Sequence, residues 1–375
     1  KIMTKTRLLI VAHSGYMGGA ETVLAHAINN VLSDSSRYET DVYYPLGTGS
    51  LFRTALRSET VRRCCALPYR NIASGSLKTL IVLLYSLPTI LWLIAVCLFR
   101  KTDRIYVNSA VNFPGAWVAY ITGKRCLWHI HEQPNAHTDY LPRWMISTYR
   151  KLFTASNITP VFVTERCRRL WSQKLACDFP VYRIAYPPLK ELPLTVSKKT
   201  GTALTIGYLG ALIPGKNVAA LVRSYARLHT SHPQDPPYLL ICGSGPCLHE
   251  LQDLARTLHV ETFTEFRAFQ NDVSGFFADI DMLVQPSLNE SWGLTVLEAM
   301  SQRKAVITTT ETGLHEILTG EECLFFDPSD EDELYKCLEA LQEEGLRNRL
   351  SSNGYDKVRL LNLNHQFELT IKDIL

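Results

Sequence analysis

Short uninterrupted apolar runs alternate along this chain with longer stretches in which apolar positions recur every three or four residues. Leu8-Leu9-Ile10-Val11-Ala12 has the pattern of a strand covered on both faces. Ile105-Tyr106-Val107, Leu127-Trp128-His129-Ile130 and Pro160-Val161-Phe162-Val163 repeat it, and Thr164-Glu165 marks a helix start. After residue 203 the pattern restarts. Leu204-Thr205-Ile206-Gly207-Tyr208, Leu239-Leu240-Ile241-Cys242, Met282-Leu283-Val284 and Ala305-Val306-Ile307-Thr308 read as strands. Val218, Leu221, Val222, Tyr225 and Leu228 fall on one face of a helix. Strand and helix signals in alternation predict βαβ units and parallel sheets.

Between the two series lies a polar, proline-bearing stretch with Pro187, Pro188 and Pro193 followed by Ser197-Lys198-Lys199-Thr200-Gly201-Thr202. It reads as a linker over 187–203. The expected organisation is an α/β chain of two Rossmann-like, doubly wound domains, 1–186 and 204–359. Ligands then bind at the carboxyl ends of strands, in a deep cleft between the domains. The length of 375 residues suits two domains rather than one.

One stretch departs from the alternation. Residues 79–99 carry no formal charge, which is long enough to cross a bilayer. Pro88 near its middle is expected to break or kink it, giving two buried helices or a helix with an adhesive apolar face. Arg100, Lys101 and Arg104 follow and suit an anionic surface.

Charge sharpens this. The net formal charge is +3, but residues 1–190 hold 24 Lys+Arg against 10 Asp+Glu, and the remainder holds 15 against 26. A basic first half faces something anionic: phospholipid headgroups or a lipid-linked diphosphate. No nucleic-acid-binding motif accompanies the charge, so nucleic acid is not expected as a partner. The ten cysteines form no C-x-x-C pair or zinc-ligand spacing, which favours a reducing compartment, the cytoplasm, with the protein peripheral on the inner face of the cell membrane. No signal peptide is read at the start of the chain.

Two glutamates mark the candidate chemistry. In Asn289-Glu290-Ser291-Trp292-Gly293-Leu294-Thr295-Val296-Leu297-Glu298-Ala299-Met300, a helix beginning near Gly293 offers backbone N–H groups at 293–295 as a diphosphate site. Glu290 lies just outside that site and Glu298 about a turn and a half inside it, matching sugar hydroxyls, diphosphate and ribose in order. This segment closely resembles the E-x7-E signature of glycosyltransferase family 4, retaining enzymes of the GT-B fold. Gly18-Gly19-Ala20-Glu21 resembles the family's N-terminal glycine-rich loop. Gly210-Ala211-Leu212-Ile213-Pro214-Gly215-Lys216-Asn217 resembles its phosphate-binding lysine loop, and Gly243-Ser244-Gly245-Pro246 its second glycine turn.

The resemblance implies a nucleoside-diphosphate sugar as donor and a saccharide or lipid-linked saccharide as acceptor. It implies no separate cofactor and no metal, so Asp279-Ile280-Asp281 is read as structural despite its D-x-D spacing. Glu290, Lys216 and His131 are the implied catalytic residues. Gly18, Gly19, Gly210, Lys216, Gly243, Phe269, Glu290, Ser291, Trp292, Gly293, Leu294, Thr295 and Glu298 are the implied donor-binding set. The segment from about 360 to 375 is expected to return to the first domain. His131 and His129 alternate onto one side of a strand, where a ligand contact, a core role and a metal pair are the readings. Phe269 is read either as packing near the base or as core.

Two departures stand out. Ala211 occupies the position where family members usually carry an arginine, leaving Arg267 and Arg303 as candidate substitutes. Arg303 and Ala305 stand where glycine and proline are usual. The alternatives are a weakened nucleotide-sugar-binding scaffold and a GT-B sugar epimerase. A nicotinamide-dependent dehydrogenase is excluded, because no G-x-G-x-x-G follows the first strand.

Overall fold

The computed structural model describes residues 5–72, 76–134, 141–189, 193–194, 203–269, 272–363 and 365–375. The chain divides into two compact units, Lys1–Pro188 with His365–Leu375, and Leu189–Asn364. Most of the 187–203 linker lies outside the described residues.

The first unit is built on a seven-stranded sheet. Its strands are β1 (Thr6–Val11), β2 (Tyr38–Pro45), β3 (Val61–Leu67), β4 (Arg104–Asn108), β5 (Arg125–Ile130), β6 (Ile158–Phe162) and β7 (Arg183–Ile184), in the order β3-β2-β1-β4-β5-β6-β7. Every pairing is parallel. The apolar runs become the central strands because helices cover both faces. One core layer gathers Leu9, Val11, Trp128, Tyr149, Phe153 and Trp171. The opposite layer gathers Leu8, Ile10, Leu24 and Ile28 together with Phe367, Ile371 and Leu375. The last three sit on or at the end of helix Gln366–Ile374. The preceding helix, Glu344–Leu363, stays with the second unit, so the crossing falls at 364–365 rather than near 360.

The second unit carries a six-stranded sheet of β8 (Thr205–Leu209), β9 (Tyr238–Cys242), β10 (Thr264–Arg267), β11 (Met282–Gln285), β12 (Ala305–Thr309) and β13 (Leu324–Phe326). Their order is β10-β9-β8-β11-β12-β13, again all parallel. In both sheets the strand order reverses at one place, between β1 and β4 and between β8 and β11. Such a reversal splays the loops at the carboxyl ends of the two strands and opens a crevice for ligands.

The uncharged stretch forms one helix, Ser76–Phe99, with Pro88 inside it. Of the two readings, the single helix with an apolar face holds and the pair of separate helices does not. Proline removes one rung of the hydrogen-bond ladder, and side chains on the helix's other face supply anchors. Thr89 Oγ1 donates to the Pro68 carbonyl at 2.7 Å, and the Arg70 N–H donates to Ser86 Oγ at 3.1 Å. All ten cysteines are free thiols, with Cys97, Cys126, Cys167, Cys242 and Cys323 buried.

Candidate active site

The β8–β11 reversal brings together the residues that the sequence singles out in the second unit. The loop after β8 runs through Gly210 and ends in a single 3-10 turn, Pro214–Lys216, before helix Val218–Ser231. The loop after β11 carries Ser287 and Glu290 and ends at helix Leu294–Ser301. The Leu288 N–H donates to the Gly215 carbonyl at 3.0 Å, locking the two loops side by side. Across that seam the Lys216 ammonium donates to the Glu290 carboxylate, both groups about one-fifth exposed. Ser287 Oγ reaches the same carboxylate oxygen at 3.5 Å and accepts from Gln285 Nε2 at 3.1 Å.

The Glu290 backbone is pinned by a third loop. Its N–H donates to the Glu311 carbonyl at 3.0 Å, and its carbonyl accepts from Gly313 N–H at 2.9 Å. Thr312 Oγ1 donates to the Trp292 carbonyl at 3.1 Å. Gly293 then turns the chain into the helix at φ 103°, a left-handed conformation that disfavours any side chain. The Val296 N–H donates to the Gly293 carbonyl at 3.0 Å, and the N–H groups ahead of it point out of the helix at the positive end of its dipole. Ser291, Leu294, Thr295 and Glu298 are half-buried around this terminus, while Trp292 is buried.

The two glycine turns touch. A Cβ on Gly243 would lie 2.0 Å from the Gly210 carbonyl oxygen, so only glycine lets the β8 and β9 loops close against each other. Phe269 is half-exposed, which rules out the core reading of its side chain. The candidate replacements for an arginine at Ala211 are engaged elsewhere. The Arg267 guanidinium bonds Asp279 at 2.8 Å and Glu265 at 2.9 Å. Arg303 lies over the Tyr355 ring at 3.9 Å. Asp281 accepts from the Thr205 N–H at 2.7 Å, fixing the start of β8. Among the described residues no three His, Cys, Asp or Glu side chains converge as metal ligands do.

In the first unit, the β1–β4 reversal holds a second polar cluster. His131 Nε2 lies 2.9 Å from Asn108 Oδ1, and Asn108 Nδ2 lies 3.3 Å from His13 Nδ1. The His13 ring meets the buried Glu21 carboxylate at 2.7 Å. Glu21 stands in the first turn of helix Gly19–His26, whose N-cap is the exposed, extended Gly18; Gly19 is also exposed. Burial pulls the His13 imidazole down, but its hydrogen bond to Glu21, the Glu21 charge and that of Glu132 outweigh this and leave its pKa raised. Burial holds His131 well below the ordinary histidine value, with the neighbouring His129 adding to the effect. His129, fully buried with Tyr106 Oη 2.8 Å from its Nδ1, is depressed to about 3 by burial. The two rings face each other at 4.1 Å, as strand alternation requires.

His13, Asn108 and Glu132 were not singled out in the sequence. Glu132 braces the turn after β4, accepting from Ser109 Oγ and from the Ala110 N–H at 2.9 Å. That turn holds Ser109 at φ 78°, a strained conformation for a residue with a side chain. The available signal was positional: polar residues immediately following buried strands, where doubly wound sheets gather ligands.

Comparison with known proteins agrees with this architecture. Residues 195–357, less than half of the chain, match the profile of the family described as Glycosyl transferases group 1. The lipopolysaccharide core biosynthesis glycosyltransferase LpsE of Rhizobium meliloti is 28% identical over 150 residues, 40% of this chain and 42% of that protein. The chain thus spans less than half the length of such relatives. Among solved structures, Anabaena Alr3699/HepE in complex with UDP and glucose superposes with a TM-score of 0.78 at 17% identity, covering 98% of this chain and 97% of that one. WaaG, described as a glycosyltransferase involved in lipopolysaccharide biosynthesis, superposes with a TM-score of 0.73 at 15% identity, covering 98% and 99%. The fold is GT-B: two Rossmann-like α/β domains, each on a parallel sheet. The second domain carries the group 1 glycosyltransferase pattern.

Proposed function

We propose that the chain is a retaining glycosyltransferase. It moves a hexosyl group from a nucleoside-diphosphate sugar to a saccharide or lipid-linked saccharide, in assembly of a bacterial surface polysaccharide or glycolipid. The observation that carries this reading is the Lys216–Glu290 pair beside the N-terminus of helix Leu294–Ser301 at the strand-order reversal. HepE, whose structure holds UDP and glucose, and LpsE and WaaG, both named for lipopolysaccharide synthesis, support the donor and acceptor classes.

The chemistry follows from charge. The diphosphate takes the 293–295 amides and an N–H of Lys216, which has three to offer. Glu290 accepts from sugar hydroxyls and Glu298 from the ribose. As the bond from the anomeric carbon to the diphosphate oxygen breaks, negative charge grows on the leaving group, and Lys216 and the helix dipole oppose it. The acceptor hydroxyl adds from that same face and its proton passes to the departing diphosphate, so configuration is retained without a carboxylate nucleophile and without a metal. In the first unit, His131, kept neutral by burial, and the Gly18–Gly19 turn are the candidate ligand contacts. The enzyme works in the cytoplasm, peripheral on the inner face of the cell membrane.

A weakened, donor-binding scaffold is the second reading, favoured by Ala211 and by the engagement of Arg267 and Arg303 with other partners. A thermal-shift panel of nucleotide-sugars identifies the donor, because a ligand at 100 times its Kd stabilises by ~2.7 kcal/mol. Turnover of that donor then decides. Glu290→Ala and Lys216→Ala are each expected to lower kcat by roughly a hundredfold or more. Donor binding with no turnover in the unaltered chain selects the scaffold. Turnover unchanged in both variants sinks the site assignment.

A further inference from the structure

Helix Ser76–Phe99 has two faces of opposite character. Ile90, Leu93, Val96 and Cys97 are buried in the core of the first unit. Along the other side Leu77, Leu80, Ile81, Leu84, Leu91 and Leu98 are all exposed, Leu77 at 71% and Phe99 beyond them at 87%. Their spacing of three, four and seven residues makes one continuous apolar stripe, ~32 Å long at 1.5 Å per residue. Soluble monomers rarely leave so long an apolar stripe uncovered.

The surroundings define the occupant. Residues 42–102 carry eight Lys+Arg and one Asp+Glu. Arg63, Arg70, Lys78 and Lys101 are exposed. Arg70 lies over the Tyr85 ring at 6.0 Å, a cation beside an aromatic that itself lies on the exposed side. Apolar side chains flanked by bases match the acyl boundary and phosphate layer of an anionic bilayer.

The helix is long enough to cross a bilayer, but its buried face argues against crossing. A span would pull Ile90, Leu93, Val96 and Cys97 out of the core, at roughly 1.5–3 kcal/mol for each large side chain. The helix also links two parallel strands, β3 and β4, so it runs back along the sheet and starts at the sheet's carboxyl edge. Asn71 Nδ2 donates to the His13 carbonyl at 2.6 Å, and the Ile72 N–H donates to the Val111 carbonyl at 3.1 Å. The chain at residues 71–72, shortly before the helix, is therefore tied to the loops after β1 and β4.

We infer that helix Ser76–Phe99 lies in the plane of an anionic phospholipid surface, its exposed stripe immersed and its opposite face locked in the fold, with the His13-bearing loops held at headgroup level. The docking needs no glycosyl transfer. Only its consequence, that a lipid-linked acceptor meets these loops without leaving the membrane, rests on the function proposed above.

Flotation of the full chain with vesicles of phosphatidylcholine and phosphatidylglycerol in equal amounts, and of phosphatidylcholine alone, tests this. Binding is expected to the anionic vesicles, weakened by salt. Leu84→Glu with Leu91→Glu should lower it by roughly a hundredfold, and brominated lipids should quench Trp92, with quenching lost in Trp92→Phe. Leu77→Glu, a single change at an exposed site in the first turn of the helix, serves if the double variant does not fold. Unchanged binding in these variants, equal binding to neutral vesicles, or retention after alkaline carbonate extraction overturns the assignment. So does a stripe covered by a second copy, seen as a dimer that Leu77→Glu dissociates. The nucleotide-sugar thermal shift is read on the same samples. A chain that floats but shows no shift with any donor refutes the proposed reaction and leaves the membrane docking standing.

Discussion

His129, on β5, and His131, just past its end, lie ring beside ring and resist protonation for the same reason. An imidazolium without solvent in the interior of the first unit is penalised, and its pKa falls. The consequence for stability has a definite sign. His129 protonates near 6.5 in the unfolded chain and near 3 in the fold, so between these values the unfolded chain binds more protons. Stability is therefore present at neutral pH and lost as pH falls below 6.5. The limiting slope is about 1.4 kcal/mol per pH unit for one such histidine. His13 behaves oppositely: its folded pKa is raised, so its contribution is complete below 6.5 and fades as pH rises through the folded value. The acid-side slope thus belongs to the strand histidines. Urea unfolding at pH 6.5 and at pH 5.5 is expected to show stability falling with pH, the slope steepening toward that limit at the lower pH, and His129→Gln to reduce the slope at pH 5.5 by about one proton. An unchanged slope in the variant refutes the neutral-core assignment.

At the scale of elements, the loop and helix at 289–301 are specified by one backbone angle. Gly293 holds φ 103°, and a Cβ there would come within 3.0 Å of Leu314 Cδ1. Gly293→Ala is expected to destabilise the second unit by about 1–3 kcal/mol and to abolish the nucleotide-sugar thermal shift. A variant that keeps the shift in full shows that the helix start is not where the donor binds. This element was legible in the sequence because its strand, glycine and carboxylates are contiguous. The same holds for the Gly210 and Gly243 turns, which follow apolar runs immediately. The cluster of His13, Asn108 and His131 was only half legible. Its members stand at or just past the ends of three separate strands, and nothing in linear spacing reports that β1, β4 and β5 are neighbours. Pro88 left two readings open in the sequence, and tertiary contacts decide between them: Ser86, Thr89 and the buried face anchor both halves of one helix.

At the scale of the whole molecule, the chain enters the first unit twice. After twenty residues of helix Glu344–Leu363 in the second unit, it returns, and Phe367, Ile371 and Leu375 enter the same core layer as Leu8, Ile10 and Leu24. Polar contacts fasten the return: His26 Nε2 lies 2.8 Å from Glu368 Oε1, and Arg104 donates to the Ile374 carbonyl. Periodicity made a terminal helix readable but not its destination, because an apolar face of three residues fits any core with space for it. The terminal segment is thus part of the first unit's interior, although it is the part of the chain furthest from it in sequence. Removing residues 365–375 exposes the core around Ile28 and Leu24. Burial of a large apolar side chain is worth about 1.5–3 kcal/mol, so loss of three exceeds a large fraction of a typical domain's stability. The truncated chain is expected to show early, separate melting of the first unit, with protease cuts concentrated before residue 188, while the second unit retains its nucleotide-sugar shift. A single Phe367→Ala should produce the same order of events at smaller amplitude, about 3–5 kcal/mol. Coincident melting of both units in the truncated chain would show instead that the terminal helix stabilises the molecule as one cooperative body.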